Sequence, residues 1–87
     1  METDIENLKK RILYRSQYRG TREMDKLLYS FVSKYIDTIE ETKLSSLENF
    51  LNNDDDDLYK FYNNIENKLK FNDEYIIKLF KDFKYDE

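Results

Sequence analysis

The sequence predicts an all-α protein, a single small bundle of five short helices. Apolar residues recur at three- and four-residue spacing along most of the chain, which is the repeat of one buried helical face. No stretch alternates apolar and polar residues for long enough to propose a strand. The 87 residues amount to one domain's worth of chain, and no internal repeat or Ser/Gly linker divides them. The domain is therefore expected to run over 1–87, with a frayed tail at about 84–87.

The first helix is expected from about Asp4 to Tyr18, with Ile5, Leu8 and Ile12 as its apolar stripe. The next stripe positions would be Arg15 and Arg19, so the helix must stop burying that face there or bury Arg with a partner. Gly20 follows, where a left-handed C-terminal cap is usual. The second helix is expected from about Thr21 to Tyr35 or Ile36, on Met24, Leu27, Leu28, Phe31 and Tyr35. Glu23 and Asp25 lie in its first turns, where negative charge suits the helix dipole. The stretch from Asp37 to Glu41 loses the stripe and reads as a connection. A third helix, about Thr42 to Leu51, uses Leu44, Leu47 and Leu51. Asn52-Asn53 breaks it before four consecutive Asp, 54–57, open a fourth helix on Leu58, Phe61, Tyr62 and Ile65, with Leu69 a candidate last member. Asn72 is the expected N-cap of the fifth, which buries Ile76, Leu79, Phe80 and Phe83.

With no Cys and no His, the usual disulfide, zinc and haem staples are unavailable, and stability must come from packing. The apolar residues are large enough for that: 10 Leu, 7 Ile, 6 Phe and 8 Tyr. Most of the aromatics fall on the stripes and are expected in the core; Tyr14, Tyr18 and Tyr29 fit it less well and could belong to a binding face. The chain has no Ala, Pro or Trp and a single Gly, a skew that fits AT-rich coding. A residue kept against that bias is one that physics requires. No run approaches the roughly 18–20 apolar residues of a membrane span. The start Met1-Glu2-Thr3-Asp4 is acidic, with neither an apolar h-region nor an Arg-rich amphipathic lead. A bacterial cytoplasmic protein is expected, or a mitochondrial matrix protein already stripped of its presequence.

Charge is unevenly spread. Between Lys9 and Arg22 lie six basic residues and no acidic ones; the rest carries nine basic and nineteen acidic residues, a net of −10. All four Arg lie between positions 11 and 22, and every later basic residue is Lys. Lys would serve for solubility, whereas Arg offers a planar fork that pairs bidentately with carboxylate or phosphate. The segment is therefore expected to bind something. Nucleic acid is the lesser alternative: Tyr14 and Tyr18 interleave with the Arg and could stack bases, but the remaining −10 would repel a phosphate backbone. The four-Asp run lacks the spaced oxygens and turn Gly of a calcium loop, and consecutive acids at a helix start are an ordinary dipole arrangement, so no metal is expected. Without His, Cys, a recognisable carboxylate pair or a Gly-rich loop, the chain is not expected to be an enzyme.

The segment 10–31 carries a motif. Arg19-Gly20-Thr21-Arg22-Glu23 has the form Arg-Gly-x-x-Glu, preceded by Arg11-Ile12-Leu13-Tyr14-Arg15 and followed by Asp25, Leu27, Leu28 and Phe31. Farther on, Asp54–Asp57 lead into Leu58, Tyr59 and Phe61. Over about residues 8–63 the chain closely resembles the bacterial succinate dehydrogenase FAD assembly factors and their mitochondrial counterparts. It departs from them in lacking a Pro in the acidic stretch and in having Phe61 where they usually have Trp, both in line with the coding bias.

The resemblance implies a five-helix assembly factor that binds the flavoprotein subunit of succinate dehydrogenase, and often that of fumarate reductase. Such factors promote covalent attachment of FAD to a histidine of the partner and hold no stable cofactor themselves. It implies partner-binding residues Arg11, Tyr14, Arg15, Arg19, Gly20, Glu23 and Asp25. Gly20 would admit the partner's backbone at the helix 1–helix 2 corner, and any side chain there would clash. Arg15 and Arg19 would reach partner carboxylates or carbonyls, and Glu23 would accept from partner donors or orient Arg19. Structural alternatives stand beside these: Gly20 as a cap, Glu23 as a dipole partner, Arg19–Glu23 as a private ion pair of about 0.3–0.5 kcal/mol. A helical adaptor with another client is the alternative function. A monomer is expected, since no large unpaired apolar stripe calls for an obligate dimer.

Overall fold

The structure, a computed structural model, describes residues 4–71 and 73–84. Among them are five α-helices and no strand: α1 Asp4–Arg15, α2 Arg22–Tyr35, α3 Glu41–Phe50, α4 Asp55–Tyr62 and α5 Glu74–Asp82. α1 packs on α2 and α3, and α3 packs on α5.

The stripes meet in one core. Ile12 of α1, Leu27, Leu28, Phe31 and Val32 of α2, Leu44, Leu47 and Phe50 of α3, Leu58 of α4, and Ile76 and Phe80 of α5 are all buried. Phe31 is its hub, with its ring edge-on to Phe80 at 5.0 Å, Phe83 at 5.6 Å, Phe50 at 6.3 Å and Tyr35 at 5.4 Å. These edge-to-face spacings let rings from α2, α3 and the end of α5 interdigitate. Met24, Leu27, Leu28 and Phe31 thus face inward as the periodicity predicts. Ile36 and Ile39, in the stretch from α2 to α3, are buried as well, so that connection closes the end of the core.

Local chemistry moves several boundaries. α1 stops at Arg15, three residues short of the expected end. Ser16 turns its hydroxyl back to donate to Leu13 O at 2.6 Å and is fully buried, so the first turn beyond the helix folds inward. The left-handed residue is Tyr18, at φ 56°, and not Gly20, whose φ is not positive; the expected glycine cap is corrected. Thr21 is the N-cap of α2, its hydroxyl accepting from Met24 N–H at 3.2 Å.

α4 also ends early, at Tyr62, and the stripe proposed through Ile65 is broken: Ile65 is 49% exposed. Asn64 takes φ 60°, Asn64 N–H donates to Phe61 O at 3.2 Å, and Ile65 N–H donates to Lys60 O at 2.8 Å. That pair of bonds around a left-handed Asn satisfies the last carbonyls of the helix and turns the chain away. Leu69 and Phe71 then return to the core from an irregular segment. The expected N-cap of α5, Asn72, lies outside the described residues. Asp73 caps the helix, its carboxylate accepting from Tyr75 N–H at 3.0 Å and pairing with Lys43 at 3.2 Å.

Candidate functional site

The corner between α1 and α2 is assembled around Arg19. Its Nε donates to Asp55 Oδ1 at 2.6 Å, Nη1 to Leu51 O at 2.9 Å and Arg15 O at 3.0 Å, and Nη2 to Asn53 O at 3.0 Å. Arg15 O and Leu51 O lie at the C-terminal ends of α1 and α3, where helices leave carbonyls without intrahelical partners, while Asn53 and Asp55 lie at the start of α4. One guanidinium fork therefore joins three helix ends, a task for which the single ammonium of Lys has the wrong shape. The Arg19 side chain is only 13% exposed. The backbone is fastened as well: Arg19 N–H donates to Asp25 and Gly20 N–H to Asp55 Oδ2. Asp25, at the first turn of α2, is thus engaged within the corner.

Arg19 was expected to reach outward, and that expectation is corrected. Its fork is filled internally because α1 ends early and the chain folds back, carrying the side chain under the α3–α4 junction. No contact joins Arg19 to Glu23 among the described residues. Gly20 is exposed, and a Cβ built there would lie 3.0 Å from Asp55 Oδ2. The first clash of a side chain at Gly20 is therefore within the chain, against the carboxylate that holds Arg19.

Arg11 and Arg15 are about half exposed and tie α1 to α3. Arg11 Nη2 donates to Glu48 Oε1 at 2.9 Å; Arg15 Nη1 donates to Asn52 Oδ1 at 2.8 Å, and Arg15 Nε lies 3.6 Å from Glu48 Oε2. Hydrogen bonding from Arg11 holds the Glu48 carboxyl below its usual range, against partial burial and with help from the charges of Arg11 and Arg15. At Asp73 burial works upward, but Ser46, Lys43 and the Ile76 N–H outweigh it and the carboxyl is again lowered. A depressed carboxyl contributes stability above its unfolded value, and that contribution is lost as pH falls through the folded value. The melting temperature is thus expected to hold steady above about pH 5 and fall progressively below about pH 4.5. Glu48→Gln should start lower and descend less steeply, as circular-dichroism melts across pH will read.

What faces solvent at the corner is a different set. Tyr14 and Tyr18 are 68% and 77% exposed, with ring centroids 5.8 Å apart. A left-handed backbone costs an L-residue roughly 1–2 kcal/mol, and Tyr18 accepts that cost while burying little of its ring. Beyond it Gly20, Thr21, Arg22, Glu23 and Lys26 are exposed. Arg22, Glu23 and Lys26 have no side-chain hydrogen bond or ion pair among the described residues. A groove of about 280 Å³ runs between α2 and α4, lined by Arg22, Glu23, Lys26, Leu27, Tyr59, Tyr62 and Asn63. Another of about 270 Å³ lies on the other side of α2, between Tyr18 and Tyr29.

Of the seven residues singled out from sequence, Gly20, Glu23 and Tyr14 are on the open surface, Arg11 and Arg15 are shared between surface and internal pairs, and Arg19 and Asp25 hold the corner together. Arg22, Lys26 and Tyr59 were missed. The spacing of Arg22, Lys26 and Tyr29 along one outward face of α2 could have shown two of these, and Tyr59 lies off the α4 stripe. Asp55 was missed as the clamp, since nothing local distinguishes it from its three Asp neighbours.

A family model described as flavinator of succinate dehydrogenase matches residues 10–84. The chain belongs to the succinate dehydrogenase flavinator family. It is 33% identical over 76 residues to succinate dehydrogenase assembly factor 2-B, mitochondrial, of Drosophila ananassae, an alignment covering 85% of this chain and 47% of that protein. It is 34% identical over 56 residues to succinate dehydrogenase assembly factor 2, mitochondrial, of Aspergillus flavus, covering 64% of this chain and 19% of that one. The chain thus spans less than half the length of these two relatives. No solved structure matches it significantly. The part of the chain assigned to the flavinator family includes the Arg19–Asp55 clamp, all five helices from the middle of α1 onward, and the exposed stretch Gly20–Glu23. Among the described residues no helix is long and apolar enough to cross a membrane.

Proposed function

We propose that this chain binds the flavoprotein subunit of succinate dehydrogenase and promotes covalent attachment of FAD to it, without a catalytic centre of its own. One observation carries the proposal: in a flavinator-family chain, the Gly20–Glu23 stretch is exposed at a corner that Arg19, Asp25 and Asp55 hold fixed from beneath. A surface whose geometry is set before contact loses less conformational entropy on docking. The flavin supplies the bond-forming chemistry when it is bound to the partner. The factor's residues orient and hold that partner, and raise the population of a competent arrangement. The fumarate reductase flavoprotein is proposed as a second client of the same surface, and the factor as a monomer. It would act wherever the flavoprotein is loaded, in a bacterial cytoplasm or a mitochondrial matrix.

Co-expression with a succinate dehydrogenase flavoprotein, followed by flavin fluorescence on a denaturing gel, tests this directly. Covalent flavin is expected to rise severalfold over flavoprotein alone. An unchanged signal, with both proteins folded and present, would defeat the proposal.

A further inference from the structure

This chain neutralises most of the positive charge in its first third. Lys9 reaches Asp37 at 3.6 Å, Arg11 and Arg15 share Glu48, and Arg19 holds Asp55. Arg22 and Lys26 are treated differently. They stand one turn apart on the exposed face of α2, where like charges four residues apart repel, and neither meets a carboxylate among the described residues. A chain with nineteen acidic residues does not lack for partners to offer them. Together they form a cationic ridge between the two grooves, with Lys26 lining both. The walls on either side are aromatic: Tyr18 and Tyr29 on one, Tyr59 on the other, each at least 45% exposed. Tyrosine rings supply rigid, amphipathic contact area at low entropic cost and flank cations well at protein interfaces.

We infer that the Arg22–Lys26 ridge, walled by Tyr18, Tyr29 and Tyr59, seats an acidic segment of the partner flavoprotein. This rests on the function proposed above and adds the sign and location of the contact. Glu23 lines the Tyr59 groove and gives that side one acceptor for a partner donor, so the ridge prefers a segment whose carboxylates run along the α2 axis. The strained Tyr18 fits the same picture. Its left-handed backbone leaves an exposed ring along the groove that Lys26 also lines, a conformation that glycine would adopt at less cost and without the ring.

The test is a binding titration of this chain against purified succinate dehydrogenase flavoprotein, at about 50 and 300 mM salt. The wild-type chain should bind more weakly at the higher salt. The double variant Arg22→Glu/Lys26→Glu should lose more than tenfold in affinity at low salt, and added salt should no longer weaken it. Lys78→Glu, an exposed charge reversal on α5, should bind as the wild type does. Tyr18→Gly should keep the melting temperature within a few degrees while weakening binding severalfold. If the folded double variant bound within twofold of the wild type, the ridge would be overturned and the proposed function left standing. If the wild type itself failed to bind, the proposed function would fail and this inference with it.

Discussion

Arg19→Met is expected to lower the melting temperature by roughly 10–20 °C, corresponding to about 2–3 kcal/mol in a domain of this size. The substitution keeps much of the side-chain volume and removes the fork. It leaves the Asp55 carboxylate without its cation and the carbonyls of Arg15, Leu51 and Asn53 without a donor. Breaking one side of a largely buried pair costs more than the pair contributes, because the remaining charge stays desolvated. Arg19→Lys should recover only a minor part, since one ammonium cannot serve Asp55 and three carbonyls in different directions. Thermal melts followed by circular dichroism check the size. The variant also separates a staple from a contact. Assayed well below its lowered midpoint, a folded Arg19→Met should still bind the flavoprotein within a few-fold of the wild type. A fully folded variant with no binding would make Arg19 a contact residue after all.

Phe31→Ala is expected to cost about 3–5 kcal/mol, the range for deleting a buried ring. Whole domains are stable by only about 0.05–0.15 kcal/mol per residue, so this one loss consumes a large share of the total. The reason lies in where the ring sits. Phe31 packs against aromatic rings of α3, of α5 and of Phe83 just beyond it, so its removal opens a cavity bordered by several segments. Neighbouring helices are tied to one another by the Arg19 and Glu48 contacts and cannot collapse freely into that space. Chemical denaturation should show the midpoint falling steeply with little change in slope. Phe31→Leu, which keeps most of the volume, should lose less than half as much. Equal losses for both would mean that ring geometry, and not filled volume, sets the stability.

The α2 stripe Met24, Leu27, Leu28 and Phe31 was legible because helical periodicity is a local property, and each residue faces the core as its spacing requires. The same logic placed Leu44 and Leu47 in α3 and Ile76 and Phe80 in α5. It failed at Ile65, where the spacing continues but a left-handed Asn64 has already turned the chain. It failed again at Gly20: the only glycine attracted the role of left-handed cap, while Tyr18 takes that conformation. In both places the outcome depends on where a helix stops, which a few capping bonds decide against a nearly equal continuation.

The motif was similarly half legible. Arg-Gly-x-x-Glu marks the corner correctly and says nothing about which arginine faces inward. Asp55 lies 36 residues from Arg19, and no local pattern links them. The sequence by itself determined the helical class, the core faces, the family and the position of the corner, since these follow from periodicity and from a contiguous motif. Only the tertiary structure decided that Arg19 is spent beneath the corner and that Arg22, Lys26 and the outward tyrosines are left exposed. The physical reason is that an arginine's role is set by the acceptors around it, and at this corner those acceptors come from distant helix ends that only folding brings together.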